Sequence, residues 1–160
     1  MCIRDRYGFT YKEMSEVIGE NEAKALYEEL YKQLPRKKNL SMLVKNICKS
    51  SDTEKYVYEL KDNKYIETVF IKRRDGGTVC VSTQVGCPVG CIFCESGRNG
   101  FVRNLTSSEI VQQIILLRRK VNRIVFMGMG EPLFNYDNLI KAIHILPVSY
   151  THLRAHETLR

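Results

Sequence analysis

Cys87, Cys91 and Cys94 are spaced C-x3-C-x2-C, and Cys80 lies seven residues upstream of Cys87. Three thiolates can hold three irons of a [4Fe–4S] cluster, whose all-protein form uses four cysteines. Leaving one out gives an iron with open coordination. That iron can bind a small molecule through an amino group and a carboxylate, and pass it an electron. Pro88 and Gly90 suit a loop wrapped tightly around a bulky inorganic core. Two other readings stand beside this one. Cys80, Cys87, Cys91 and Cys94 could form a four-thiolate zinc site, or the thiols could be unrelated. Structural zinc usually draws on two paired knuckles, and only Cys91/Cys94 has that form.

The rest of the composition sets the context. The 160 residues are 44% hydrophobic and 27% charged, ordinary for a globular chain of one modest domain. No apolar run approaches the ~20 residues that span a bilayer, and no secretory segment follows the N-terminus. The expected location is therefore cytoplasmic, without a membrane partner. There thiols stay reduced, and clustered cysteines bind metal or do chemistry. The net charge is +7, with basic runs at 36–38, 72–74 and 118–120. Either a nucleic-acid partner or simply solvated faces accounts for it. Cys48 reads as a core thiol and His144 as structural.

The elements that must position these residues can be read from periodicity. Asn21 can cap a helix carrying Leu26, Tyr27, Leu30, Tyr31 and Leu34, which Pro35 ends. Ser41 can start another, with Leu43, Val44 and Ile47. From Tyr56 the period changes to two. Tyr56, Tyr58 and Leu60 alternate with polar residues, as do Ile66, Thr68 and Phe70 beyond an Asp62-Asn63 turn. Asp75-Gly76-Gly77 marks a second turn. A strand follows over 78–85, with Cys80, Ser82 and Gln84 on one face. After the cysteine loop, Thr106 and Glu109 form a capping box for a helix burying Ile110, Val111, Ile114, Ile115 and Leu117. A buried-type strand at 123–128 leads into GMGEP. A last helix starts at Asn135 or Asp137 and carries Leu139, Ile140, Ile143 and Leu146, until Pro147 stops it.

Residues 78–146 thus read β–loop–α–β–loop–α, an α/β fold with parallel strands. Both notable loops follow strands directly and belong at the carboxyl edge of the sheet. The expected organisation is a helical accessory domain at 7–52, a β-hairpin-type connection at 53–77 and the first part of the α/β domain at 78–146. The peptides at 1–6 and 147–160 are set aside as non-native, because MCIRDR and VSYTHLRAHETLR resemble translated sequencing-adapter DNA.

The segments TVCVSTQVGC, CIFCESGRNGFVRNLTSSEI and VFMGMGEPLFNYDNLIKAI closely resemble the RlmN/Cfr family of radical S-adenosylmethionine (SAM) RNA adenine methyltransferases. The resemblance is strongest over 65–146. It implies a partial (β/α)6 barrel, of which this chain holds the beginning after the helical domain. It implies two cofactors, a [4Fe–4S] cluster held by Cys87, Cys91 and Cys94, and SAM, bound in part by Gly130 and Glu131, with Phe93 in the cluster motif. It makes Cys80 the resolving cysteine and Glu67 the proton acceptor. Glu67 shares strand parity with Tyr65, Val69 and Ile71, so an apolar neighbourhood raising its pKa is expected. Cys80 is expected to be a reduced, reactive thiol.

The implied chemistry follows from the substrate. Carbon 2 of adenine is not a nucleophile, so it cannot attack the sulfonium methyl of SAM. In the family, one SAM methylates a cysteine in the C-terminal region. A second, cleaved reductively, yields a radical that activates that methyl for addition to carbon 2. The base removes the proton, and the resolving cysteine frees the product by forming a disulfide. The expected partners are 23S rRNA, tRNA and a one-electron reductant, and the enzyme is expected to be a monomer. Gly100-Phe101 before Arg103-Asn104-Leu105 resembles the RlmN type more than the Cfr type, which methylates carbon 8. No residue here matches the methyl-acceptor cysteine, so the chain is expected to be an N-terminal fragment, inactive alone. The alternatives are a Cfr-like enzyme and a non-enzymatic zinc-bound nucleic-acid module.

Overall fold

The computed structural model of the chain describes residues 40–149, apart from 75 and 118, together with residues 16 and 21. Strands β1 (Met42–Lys49), β2 (Thr53–Leu60), β3 (Tyr65–Arg73) and β4 (Gly76–Cys80) follow one another as antiparallel neighbours. Next, β5 (Gln84–Gly86) and β6 (Phe101–Asn104) pair as a separate two-stranded ribbon that brackets the cysteine loop. Helix α1 (Ser107–Leu117) then crosses over to β7 (Arg123–Val125), which pairs with β4 in parallel. A 3-10 turn at Pro132–Asn135 leads into α2 (Tyr136–Ser149). The architecture is α/β, with two β/α units grafted onto an antiparallel sheet of order β1-β2-β3-β4-β7.

The two-residue period of β2 and β3 decides which face is covered. Tyr56, Tyr58, Leu60, Ile66, Thr68 and Phe70 are all buried. α1 lies over this face, where the Tyr58 hydroxyl donates to the Gln113 carbonyl at 3.0 Å. Ile110, Ile114 and Val79 join the same core. Each such side chain contributes roughly 1.5–3 kcal/mol through burial. α1 starts where the capping box puts it. The Thr106 amide donates to Glu109 at 2.9 Å, and the Glu109 amide donates to the Thr106 hydroxyl at 3.2 Å. The opposite sheet face carries Glu67, Val69 and Cys80, only partly buried. Among the described residues, no helix is long and apolar enough to cross a membrane.

Several sequence expectations need correction. The helix expected from Ser41 is strand β1. A register shift between Val44 and Asn46 breaks its two-residue period, so Leu43, Val44 and Ile47 fall at a spacing that mimics a helix. The strand expected over 78–85 stops at Cys80 and resumes at Gln84. α1 buries nearly its whole circumference, including Gln112 and Gln113, where one apolar face was expected. α2 runs past Pro147 to Ser149. A proline in a last turn removes one amide donor without ending the helix. The helix expected between Asn21 and Pro35 lies outside the described residues, except that Asn21 itself is helical.

The break after Cys80 leaves backbone groups that must find partners. The Val81 amide donates to Val125 and its carbonyl accepts from Gly128, at 2.8 and 3.1 Å. Ser82 turns the other way, toward α1. The Gln113 carboxamide accepts from the Ser82 amide at 2.9 Å and donates to the Ser82 carbonyl at 2.9 Å. The same side chain accepts from the Thr68 hydroxyl at 2.7 Å and donates to the Glu109 carbonyl at 3.3 Å. In effect it stands in for a missing strand.

A second tie is ionic. Arg103 holds the Glu109 carboxylate with two nitrogens, at 2.8 and 2.9 Å, and reaches Asp62 through Nε at 2.7 Å. It locks the ribbon to the β2–β3 turn and to the start of α1. Arg103 also holds the Asp62 carboxyl below its ordinary range.

Two outcomes follow. Gln113→Leu strands three buried polar groups and should cost about 3 kcal/mol or more, read as a large drop in Tm. An unchanged Tm would refute the strand-substitute role. Because the folded pKa of Asp62 is depressed, its contribution is complete above the unfolded value of about 4. It is lost as pH falls through the lower folded value. Asp62→Asn should remove part of this acid-dependent loss, about 1 kcal/mol at most at a half-exposed pair. Melting curves between neutral and acid pH would show it.

Candidate active site at the carboxyl edge of the sheet

β4 and β7 run in parallel, so their carboxyl ends share one edge. Cys80 ends β4, opposite Val69 of β3 and Val125 of β7. Glu67 lies two residues from Val69, further toward the same edge and on the same face. The Ser82 hydroxyl confirms this closeness, donating to the Glu67 carbonyl at 2.5 Å. The segment after β7 folds back over the same spot. The Met129 amide donates to the Ser82 hydroxyl at 2.9 Å, and the Glu131 amide donates to the Gln84 side chain at 2.9 Å. Gly130 holds φ +100 and packs so closely on Gln84 that a Cβ there would collide with it. Glu67, Cys80, Gly130 and Glu131 are therefore gathered at one edge, as parallel connectivity requires.

The cysteine loop springs from this edge. Its base is closed by the β5–β6 ribbon, where the Cys87 amide donates to the Gly100 carbonyl at 3.3 Å. Gly86 holds φ +74 there, and a Cβ would strike the Gly100 carbonyl, so only glycine fits. The Cys94 amide closes a turn on Cys91 at 3.0 Å. Cys87 and Cys94 are partly buried and Cys91 is exposed, all as free thiols. Ile92 and Phe93 stand almost wholly in solvent. Among the described residues, no three His, Cys, Asp or Glu side chains gather around one point as a single ion would need. A multi-iron cluster takes one thiolate per iron, so its ligands need not converge. Three free thiols on one tethered loop, with open space beside Gly90, fit that group better than a lone zinc.

Two expectations change. The Glu67 face does include Val57 and Val69, but its carboxylate is 45% exposed and pairs with Lys55 at 3.0 Å. Lys55 is its diagonal neighbour across the ladder, within reach of a long side chain. Cys80 is half-buried, and burial pushes its thiol up, opposed only by a backbone hydrogen bond from Met127. Burial thus works against the thiolate form of Cys80. Glu131 caps the turn beyond it, accepting from the Leu133 amide at 3.4 Å. The sequence reading missed Ser82, Gln84 and Asn135 as organisers of the edge. The Asn135 carboxamide donates to the Thr83 and Leu105 carbonyls at 2.8 and 2.7 Å. The only sign was polar residues alternating within an otherwise apolar strand. Cys48, read as a core thiol, is exposed on β1, and His144 is exposed on α2.

Comparison with known proteins matches residues 81–157 to the family described as the Radical SAM superfamily. The "Probable dual-specificity RNA methyltransferase RlmN" of Thermotoga sp. (strain RQ2) is 51% identical over 111 residues, 67% of this chain and 32% of that protein. The protein of that name from Pseudothermotoga lettingae is 41% identical over 148 residues, 90% of this chain and 41% of that protein. A crystal structure of a radical SAM methyltransferase from Sphaerobacter thermophilus superposes with TM-score 0.79 at 30% identity, covering 89% of this chain and 51% of its own. The chain thus spans about a third to two-fifths of the curated relatives it matches.

The state of Cys80 can be measured. In reduced, metal-free protein, iodoacetamide should modify Cys80 more slowly than Cys91, and the Cys80 rate should still be rising above pH 9. Peptide mass spectrometry resolves the two. A rate levelling off near pH 7 would show an activated thiolate instead.

Proposed function

We propose that this chain, which belongs to the radical SAM superfamily, forms part of an RNA methyltransferase acting on carbon 2 of adenine, with 23S rRNA and tRNA as substrates. The observation that supports it is the register placing Cys80, Glu67, the cysteine loop and the 127–131 segment at one edge. Cys87, Cys91 and Cys94 would hold a [4Fe–4S] cluster. When bound, that group supplies the electron that cleaves SAM reductively to a carbon radical, drawn from an external reductant. Gly130 and Glu131 would line the SAM site. The glycine lets the backbone approach the ligand, and the Glu131 carboxylate can accept from ammonium or ribose donors once its weak capping bond is released. Phe93 stands exposed beside the cluster ligands, free to cover them.

Glu67 and Cys80 share the face that α1 leaves uncovered. Glu67 would accept the proton from carbon 2, with Lys55 keeping an ammonium beside the carboxylate. Cys80 sits apart from the loop and stays off the metal, which leaves its sulfur available to form a disulfide. Its raised pKa means that it needs a proton acceptor at the moment of attack. With Glu67 holding the carbon 2 proton, the thiol proton would pass to the departing methylene carbon, which needs one to become a methyl group.

The test has two parts. Anaerobic reconstitution with iron and sulfide should give a brown protein with about four irons per chain. The colour should be lost in a Cys87/Cys91/Cys94 triple alanine variant and kept in Cys80→Ala. One colourless zinc per chain, lost in Cys80→Ala, would favour the zinc module. Second, the longer protein carrying this chain, given SAM, a reductant and 23S rRNA or tRNA, should produce 2-methyladenosine. Formation of 8-methyladenosine, or of no methylated base, would overturn the assignment.

A further inference from the structure

The candidate site has no surplus of positive charge with which to hold RNA. Arg103 is taken up by Glu109 and Asp62, Arg98 by Glu95 and Lys55 by Glu67. Glu131 and Asp137 add negative charge. The basic excess lies elsewhere. Segments 49–54, 72–75 and 118–123 contain eight lysines and arginines and three acids, a net +5 of the chain's +7. The other 144 residues share only +2.

The sheet brings these three segments together. Lys49 ends β1 opposite Glu54, the second residue of β2, and adds a weak pull on its carboxylate. The Lys72 amide donates to the Asp52 carbonyl at 2.7 Å. Lys72 and Arg73 pair with Gly77 and Gly76 at the start of β4. On the other side of β4, Arg123 pairs with Thr78, and the Asn122 amide donates to Gly77 at 2.8 Å. Lys49, Lys72, Arg73, Arg74, Lys120 and Arg123 are all exposed. Among the described residues none of the six forms an ion pair, while Arg119 neutralises Glu54 at 2.7 Å. The result is a cationic rim about four strand spacings, or ~19 Å, wide. It lies along the amino edge, one β4 length (~17 Å) from the candidate site.

We propose that this rim is a second docking surface, binding the phosphate backbone of the RNA whose adenine enters the carboxyl edge. The choice of RNA over another polyanion rests on the function proposed above. The position of the surface rests on charge and register alone. Exposed, unpaired cations in a row suit a phosphate backbone, which is read by charge and carries no sequence information. A folded RNA is large enough to span both edges of the sheet. The rim would supply affinity and orientation, and the carboxyl edge would supply chemistry.

The probe is a fluorescent tRNA transcript, titrated with this chain across a range of salt and followed by anisotropy. The triple variant Lys72→Gln/Arg73→Gln/Arg123→Gln should bind at least tenfold more weakly at low salt. Its slope of log affinity against log salt should shrink by about two, since each phosphate no longer neutralised lowers the slope by roughly 0.7–0.9. Lys61→Gln/Lys64→Gln, at the β2–β3 turn on the opposite edge, should stay within twofold of wild type. Matching melting curves establish that the variants are folded. Equal binding by the rim variant overturns the rim while leaving the RNA function standing. No tRNA binding by the wild type removes the RNA reading itself. Polyglutamate competing as well as unlabelled tRNA would assign the rim to acidic proteins and overturn the proposal.

Discussion

One side-chain carboxamide holds the working edge of this molecule in place. β4 stops at Cys80, and the chain must leave the sheet there to build a loop large enough to carry three cysteines. Leaving a ladder strands amides and carbonyls in the core, each costly if unpaired. Gln113 answers this from α1 by bonding both backbone groups of Ser82. The same group ties β3 through Thr68. The Ser82 side chain extends the connection to Glu67 on one side and Met129 on the other. The site's parts come from several chain segments, and this hub, with Gln84 and Asn135 beside it, keeps them in register.

That arrangement explains a division among the cysteines. The three loop cysteines lie beyond the ribbon, on backbone held at its base and by short turns of its own, and two of them lie partly buried. Cys80 sits on the strand itself, with its direction set by the pleat and its thiol pushed up by burial. Ligands for a bulky group gain from a compliant loop, which can settle around it. A sulfur with the role proposed for Cys80, meeting a second sulfur at the right moment, would gain from a rigid strand. Burial there also disfavours the thiolate, the form that binds metal.

Much of this was legible in the sequence, and the failures have physical causes. The alternation of β2 and β3, the capping box at Thr106 and Glu109, and the two β/α units all follow from local periodicity and were read correctly. So was the gathering of the two loops at one edge, because parallel strands leave no other choice. β1 was misread because a bulge shifts parity, and parity is the whole signal of a strand. Gln112 and Gln113 were not among the residues expected to be buried on α1, yet both are. Their burial depends on partners 31 to 71 residues away, which no local window contains. Glu67 was expected among apolar neighbours because parity identifies a face. It cannot show a lysine reaching across diagonally from the next strand.

The composition posed a separate problem, since a charge of +7 on a chain proposed to act on nucleic acid invites the inference that the site itself is basic. The fold argues otherwise. The radical chemistry proposed above would need shielding from water, and a rim of hydrated ammonium and guanidinium groups would bring water in. Phosphate contacts are long-ranged and tolerant of position, whereas proton and radical transfers need contact geometry. The two demands therefore separate naturally along a β-sheet. Its carboxyl edge offers loops that can be shaped around small reactive groups. Its amino edge offers only short turns, well suited to displaying charge. Positive charge at the far edge would draw RNA toward the whole molecule and leave Lys55 as the cation paired with Glu67.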